Sequence, residues 1–218
     1  MGRLLDTVDR LGLVDDTIVV FTSDNGADTS TLHKRGSSGP WKGTMFTPME
    51  GSNRVPFIIR WPGHVPADRE TDAMVHEVDT FTTLLRMVGA DIPEDRPIDG
   101  VDQRDLLLGS TEVSAREGFP IFFGEKLYAA KWRNYKLHFV WQVNATDPVL
   151  ALGVPYVFNL LTNPHENTDE NLATTHLWVV MGASKMITKF QTSLKKDPPI
   201  PSGASDPYKP PGQPAATA

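Results

Sequence analysis

The sequence predicts an α/β fold followed by a small antiparallel sheet with a helix packed on it. Three observations carry this. Residues 17–22 and 55–61 are short apolar runs, rich in β-branched residues and without alternation. They read as strands buried on both faces, as in a parallel sheet. Helical periodicity comes before and after them, which is the rhythm of an α/β domain. After about residue 119 the spacing shortens to hairpin arms, one of which alternates residue by residue.

The elements follow in order. Leu4, Val8 and Leu11 recur at helical spacing, Leu5 widens the stripe, and Gly12 is a helix stop. Residues 26–53 are rich in Gly, Ser, Thr and Pro and have no period. Such a long loop in a compact domain is usually functional or disordered. Asp79 can cap a helix carrying Phe81, Leu84, Leu85 and Val88, with Gly89 closing it. Residues 90–118 read as surface connection. Residues 120–123 form a short strand, and 127–132 and 136–141 flank a tight turn near Asn134. The second arm places Leu137, Phe139 and Trp141 on one face and Lys136, His138 and Val140 on the other. Residues 156–160 add a strand. A last helix carries Val180, Ala183, Ile187, Phe190 and Leu194 on one side. The tail from Asp197 holds seven prolines in 22 residues and is expected to be extended or disordered. The division is therefore 1–118, 119–196 and 197–218.

Bulk properties narrow the function. Of 218 residues, 39% are hydrophobic and 22% charged, enough for a packed core. The net charge is −6 and basic residues occur only in short pairs, so a nucleic-acid partner is not expected. The absence of cysteine excludes disulfides, zinc-thiolate sites and a cysteine nucleophile. No apolar stretch reaches the length of a membrane helix, so no membrane partner is expected. The first residues form an amphipathic pattern and not a signal peptide.

Chemistry concentrates after the first strand. Ser23-Asp24-Asn25-Gly26 stands where ligands gather in parallel sheets, outside the carboxyl end of a strand. Asp24 offers a carboxylate and Asn25 an amide carbonyl, both hard oxygen donors suited to calcium or magnesium. The plain alternative is a tight turn, because Asn-Gly is a common turn pair. In Gly39-Pro40-Trp41-Lys42-Gly43-Thr44 the lysine can present a compact ammonium to a sulfate or phosphate. The plain alternative is an exposed loop lysine.

As an ordered set these segments are more telling. Ser23-Asp24-Asn25-Gly26, the Lys42-Gly43-Thr44 loop, Glu50-Gly51 and Arg54-Val55-Pro56 through Trp61-Pro62-Gly63 resemble the C-terminal half of type I sulfatases, relatives of alkaline phosphatase. The similarity continues through residues 72–90 and Ile98-Asp99-Gly100-Val101-Asp102. It extends to Lys131-Trp132-Arg133 and Asn159-Leu160-Leu161-Thr162-Asn163-Pro164. The resemblance implies the C-terminal portion of an alkaline-phosphatase-like fold and a sulfuric ester hydrolase of arylsulfatase type. It implies calcium, rather than magnesium, bound by Asp24 and Asn25. It makes Lys42 the candidate catalytic and substrate-binding residue, in contact with the sulfate. The substrate would be a sulfate-ester small molecule or a sulfated glycan, and the parent enzyme would be periplasmic or secreted.

The chain also departs from that family. The formylglycine nucleophile comes from C-x-P-x-R or S-x-P-x-R. The nearest match, Ser38-Gly39-Pro40-Trp41-Lys42, ends in lysine inside the wrong loop and reads as coincidence. The first aspartate pair, the upstream Lys-x-His pair and the active-site histidine have no counterpart. The segment from Met45 to Met49 is longer than the family's spacing. The expectation is an incomplete site that needs a missing N-terminal half. A phosphonate or phosphoester hydrolase and a non-catalytic interaction module are the rival readings. Among weaker candidates, His33 reads as an exposed loop residue, and His76 with Asp79 as a loop histidine beside a helix cap. Glu50 with Arg54 reads as a structural ion pair and His138 as an ordinary hairpin residue. Trp41 suits an aryl or sugar pocket or plain packing. Asn144-Ala145-Thr146 matches the glycosylation sequon.

Overall fold

The structure is a computed structural model that describes residues 1–28, 36–201 and 203. His33 and most of the proline-rich tail lie outside the described residues. Helix α1 spans Gly2–Arg10 and leads to strand β1, Val19–Phe21. A short helix α2, Glu50–Asn53, precedes strand β2, Ile58–Arg60. Helix α3 covers Glu77–Met87 and helix α4 Arg104–Leu107. Strands β3 (Gly118–Phe123), β4 (Lys126–Trp132), β5 (Tyr135–Trp141) and β6 (Leu150–Asn159) follow, and helix α5, Leu177–Lys196, closes the order.

The first two strands differ from the expectation. They pair antiparallel, Val19 with Arg60 and Phe21 with Ile58, as a two-stranded ribbon. Neither is buried on both faces: Phe21 is 43% and Ile58 61% exposed. The pairing is three residues long, and Pro56, which has no N–H to give to a ladder, stands two residues before it. Among the described residues only these two strands share that sheet, so one face and the outer edges stay open.

Helix α3 begins three residues earlier than the sequence placed it, with a changed cap. His76 is the N-cap: its Nδ1 accepts from the Val78 N–H at 3.2 Å, and Asp79 accepts from the His76 N–H at 3.0 Å. Asp79 is thus the third helical residue of a capping box and not the cap itself. It is buried, takes the Val101 N–H at 2.8 Å and is gripped by the Arg116 guanidinium. Residues 90–118 are not surface connection throughout, since α4 buries Leu106 and Leu107.

The C-terminal half matches its pattern closely. The sheet runs in the order β3-β4-β5-β6, all antiparallel, and α5 packs on it. Val179, Ala183 and Ile187 are buried, a 3.6-residue stripe shifted slightly from the expected one. Val179 and Ala183 meet Trp132, Leu137 and Val157, with Phe139 packed alongside. Trp141 was expected to share that face. Instead the β5–β6 register shifts between His138 and Val140, and the Trp141 ring lies against His138 and Phe158. A bulge of this kind breaks the alternation and re-aims the next side chain.

Candidate functional site

The short helix α2 is the scaffold on which two loops meet. Gly26 donates its N–H to the Ser52 carbonyl at 2.8 Å. Ser38 Oγ accepts from the Ala27 N–H at 3.1 Å and donates to the Gly51 carbonyl at 2.6 Å. On the other side, the Gly51 N–H donates to the Lys42 carbonyl at 2.7 Å. The Asp24-Asn25-Gly26 turn and the Lys42 loop are therefore bolted to the same four residues. Three glycines permit this approach. A Cβ on Gly26 would lie 1.8 Å from the Gly51 oxygen, and one on Gly51 2.6 Å from the Lys42 oxygen. Gly43, at φ +88°, would place a Cβ 2.2 Å from that of Met49. The long segment after Lys42 closes by a Thr47 Oγ1 bond to the Thr44 carbonyl at 2.8 Å and buries Met49.

Asp24 is exposed and Asn25 half-buried. Asn25 Nδ2 donates to the Gly26 carbonyl at 2.9 Å, which engages the amide nitrogen and makes the amide oxygen the candidate donor atom for a metal. Carboxylate and amide oxygen fit a hard divalent cation, but calcium takes six to eight oxygens. Among the described residues no group of three or more His, Cys, Asp or Glu side chains is placed to hold a metal ion. These two residues fit as part of a metal site.

Lys42 is half-buried, and its ammonium donates to the Glu166 carbonyl at 3.2 Å. The same ammonium stands 5.4 Å from the centre of the Trp141 ring. The loop lysine thus reaches across to the C-terminal sheet. Trp41 does not stand open: the Arg54 guanidinium lies 3.6 Å from its ring centre. Ser38 spends its hydroxyl on Ala27 and Gly51, in line with reading its S-x-P-x-K run as coincidence.

A buried charge cluster lies beneath this site. Glu50 is fully buried and accepts from Lys131 Nζ, Lys136 Nζ and Arg54 Nε, each at 2.8 Å. Burial pushes its carboxyl pKa up, but Lys136, Lys131 and Arg54 outweigh burial and hold it far below the usual carboxylate range. The expected Glu50–Arg54 pair is real, but it is one spoke of three. Beside it, Glu166 is fully buried. Its Oε2 accepts the Glu50 N–H at 2.9 Å and its Oε1 meets His138 Nε2 at 2.5 Å. His138 Nδ1 is buried without a partner among the described residues. A proton there would be an orphaned donor, so the proton belongs on Nε2 and the ring is neutral. Burial also lowers the His138 pKa, against the raising pull of Glu166. His138 is therefore no ordinary hairpin residue.

Sequence reasoning missed Lys131, Lys136, His138 and Glu166 as members of one site. Lys136 and His138 did leave a signal, two polar residues on one face of a strand whose other face is core. Glu166 left none, because it sits in an irregular segment without period. A cleft of about 1980 Å³ is lined by Trp41, Glu50, Arg54 and Lys131 but by neither Lys42 nor Asp24 and Asn25. It adjoins the two-loop site and is not the same place.

Known proteins resemble this chain in sequence. A model of the sulfatase family matches residues 1–90. That segment holds Asp24, Asn25, Lys42, Glu50 and Gly51 together. Residues 1–90 carry part of a sulfatase-family domain. It is 37% identical over 147 residues to steryl-sulfatase of Rattus norvegicus, covering 65% of this chain and 26% of that protein. It is 39% identical over 150 residues to N-acetylgalactosamine-6-sulfatase of Sus scrofa, covering 67% and 28%. The solved PsFucS1 sulfatase from Pseudoalteromonas sp. superposes with a TM-score of 0.82 at 30% identity, over 90% of this chain and 41% of that one. The chain spans about a quarter of the length of these curated relatives. The mixed α/β fold, with β3–β6 packed on α5, is that of the sulfatase and alkaline-phosphatase superfamily.

Proposed function

We propose that this chain contributes the second metal-ligand pair and the sulfate-contacting lysine of a calcium-dependent sulfuric ester hydrolase. The observation that carries the reading is the common mounting of the Asp24-Asn25-Gly26 turn and the Lys42 loop on α2. Asp24 and the Asn25 oxygen would hold the calcium. Bound calcium would neutralise the anionic ester and polarise a sulfate oxygen. Lys42 supplies a fixed ammonium for another oxygen, so charge developing at sulfur meets preorganised positive groups. Attack needs a formylglycine, and the 218 residues hold neither a C-x-P-x-R nor an S-x-P-x-R run from which to form one. The names of the relatives run from a steryl-sulfatase to an N-acetylgalactosamine-6-sulfatase. The shared element is the sulfate ester and not the alcohol it joins, which leaves small molecules and glycans equally in view.

On this reading the chain alone binds calcium weakly and turns over little or no substrate. The purified 218-residue chain is titrated with calcium and assayed on an aryl sulfate. Weak calcium binding that D24A or N25A weakens at least about tenfold is expected, on the scale of losing a metal-site partner. Robust metal-dependent turnover by the chain alone would overturn the incompleteness, and calcium binding indifferent to both substitutions would overturn the metal assignment.

A further inference from the structure

We propose that Glu166, in the C-terminal half of the chain, is the positioning residue that sets where the Lys42 ammonium stands. The inference rests on reading Lys42 as the sulfate contact. Lys42 is held at both ends. Its carbonyl accepts the Gly51 N–H at 2.7 Å and its ammonium donates to the Glu166 carbonyl at 3.2 Å. Residue 166 is itself held by its side chain. One carboxylate oxygen takes the Glu50 N–H at 2.9 Å and the other meets His138 Nε2 at 2.5 Å, with all three residues fully buried. Its backbone sits at φ +47°, a left-handed conformation unusual for a glutamate. Such a conformation persists only where the surroundings over-determine it. Here they do: the Glu166 N–H donates to the Asn163 carbonyl at 3.2 Å, and Asn163 and Asn167 bond each other twice, at 2.9 and 3.0 Å. This conformation aims the carbonyl at Lys42. The link also closes a ring, because the Glu50 that Glu166 grips starts the helix that holds the Lys42 carbonyl. The anchoring of Glu50 by Lys131, Lys136 and Arg54 keeps that ring from drifting.

A free lysine ammonium samples many rotamers, and one hydrogen bond to a fixed carbonyl removes most of that freedom. The hydrogen-bond contribution, converted at 1.4 kcal/mol per factor of ten, corresponds to about 2- to 12-fold in anion affinity. Two variants of the full chain test this. E166A removes both carboxylate ties. E166Q keeps the size but offers one acceptor oxygen for two donors, so one tie is lost. Two readouts are taken: inorganic sulfate affinity, and the acylation rate of each lysine followed by peptide mass. Lys189, exposed on α5, and Lys136, fully buried, serve as references.

The expected result is a 2- to 12-fold loss of sulfate affinity and a several-fold faster acylation of Lys42, with Lys136 still protected. Unchanged Lys42 acylation and unchanged sulfate affinity, with Lys136 protected, would overturn the proposal. Should E166A expose Lys136 and so report unfolding, E166Q decides between the same two outcomes. K42M separates this inference from the one beneath it. If K42M leaves sulfate affinity unchanged, the sulfate reading of Lys42 fails, while the acylation rates still report whether Glu166 positions it.

Discussion

Replacing Glu50 with Gln is the sharpest perturbation of this molecule. The substitution keeps volume and one acceptor oxygen and removes a single negative charge. In the native chain that charge answers three cations at 2.8 Å, of which Lys136 is fully buried and Lys131 12% exposed. Breaking a buried ion pair by removing one partner costs about 3–5 kcal/mol, because the other charge remains buried without compensation. Against a total stability of about 5–15 kcal/mol, that is a large fraction. For a chain of this size each kcal/mol moves Tm by about 2–4 °C, so E50Q is expected to melt about 6–20 °C lower. Urea unfolding at pH 7, followed by circular dichroism, measures the loss. The companion variant is E50Q/K136M, which also removes Lys136, the one fully buried cation of the three. Lys131 and Arg54 keep some solvent, at 12% and 33% exposure, whereas Lys136 has none, so the double variant is expected to regain more than half of the loss. A value for E50Q within 1 kcal/mol of wild type, or a double variant as unstable as the sum of the single changes, would refute the reasoning.

Three other outcomes are expected. G26A forces a Cβ to within 1.8 Å of the Gly51 oxygen and must push the metal-ligand turn off α2. It should cost about 1–3 kcal/mol in urea unfolding, as overpacking does, and weaken calcium binding together with sulfate binding. D79A strips the capping box of α3 and strands the nearly buried Arg116, for a loss of about 3–5 kcal/mol, while leaving Lys42 acylation unchanged. The third concerns pH. Burial keeps His138 neutral in the folded chain, while the unfolded chain takes up a proton below about pH 6.5. The unfolded state then binds more protons, so stability falls as pH drops below that value and is unaffected above it. H138Q should flatten this slope, which is at most about 1.4 kcal/mol per pH unit. An identical slope in wild type and H138Q between pH 6.5 and 5 would remove His138 as its source.

The sequence made some parts of this structure legible and hid others for physical reasons. Strand and helix identity came through wherever one face is core, as in β4, β5 and α5, because burial imposes a period. It failed for the partner choice of β1 and β2. A short apolar run states that it is a strand and says nothing of direction or neighbours. The hidden helix α4 is four residues long, too short to show a period. At the site, Asp24, Asn25 and Lys42 could be named because an ordered set of motifs surrounds them. The cluster under them could not, since Glu50 and Lys136 are 86 residues apart and Lys42 and Glu166 are 124 apart. Nothing local in Lys136 distinguishes a buried counter-ion from a solvated strand lysine. The outcome depends on which carboxylate the fold brings over it.

The three spokes on Glu50 also bear on how this protein can be inherited. Residues 1–118 and 119–196 look separable on paper, one α/β and one a sheet with its helix. Yet Glu50 stands on one side of that division, and Lys131, Lys136, His138 and Glu166 stand on the other. Exchange of the C-terminal unit between relatives would succeed only where the incoming Lys131, Lys136, His138 and Glu166 match the resident Glu50. The division between the two halves is a seam in the chain but not in the chemistry, so substitutions on either side of it should accumulate in step.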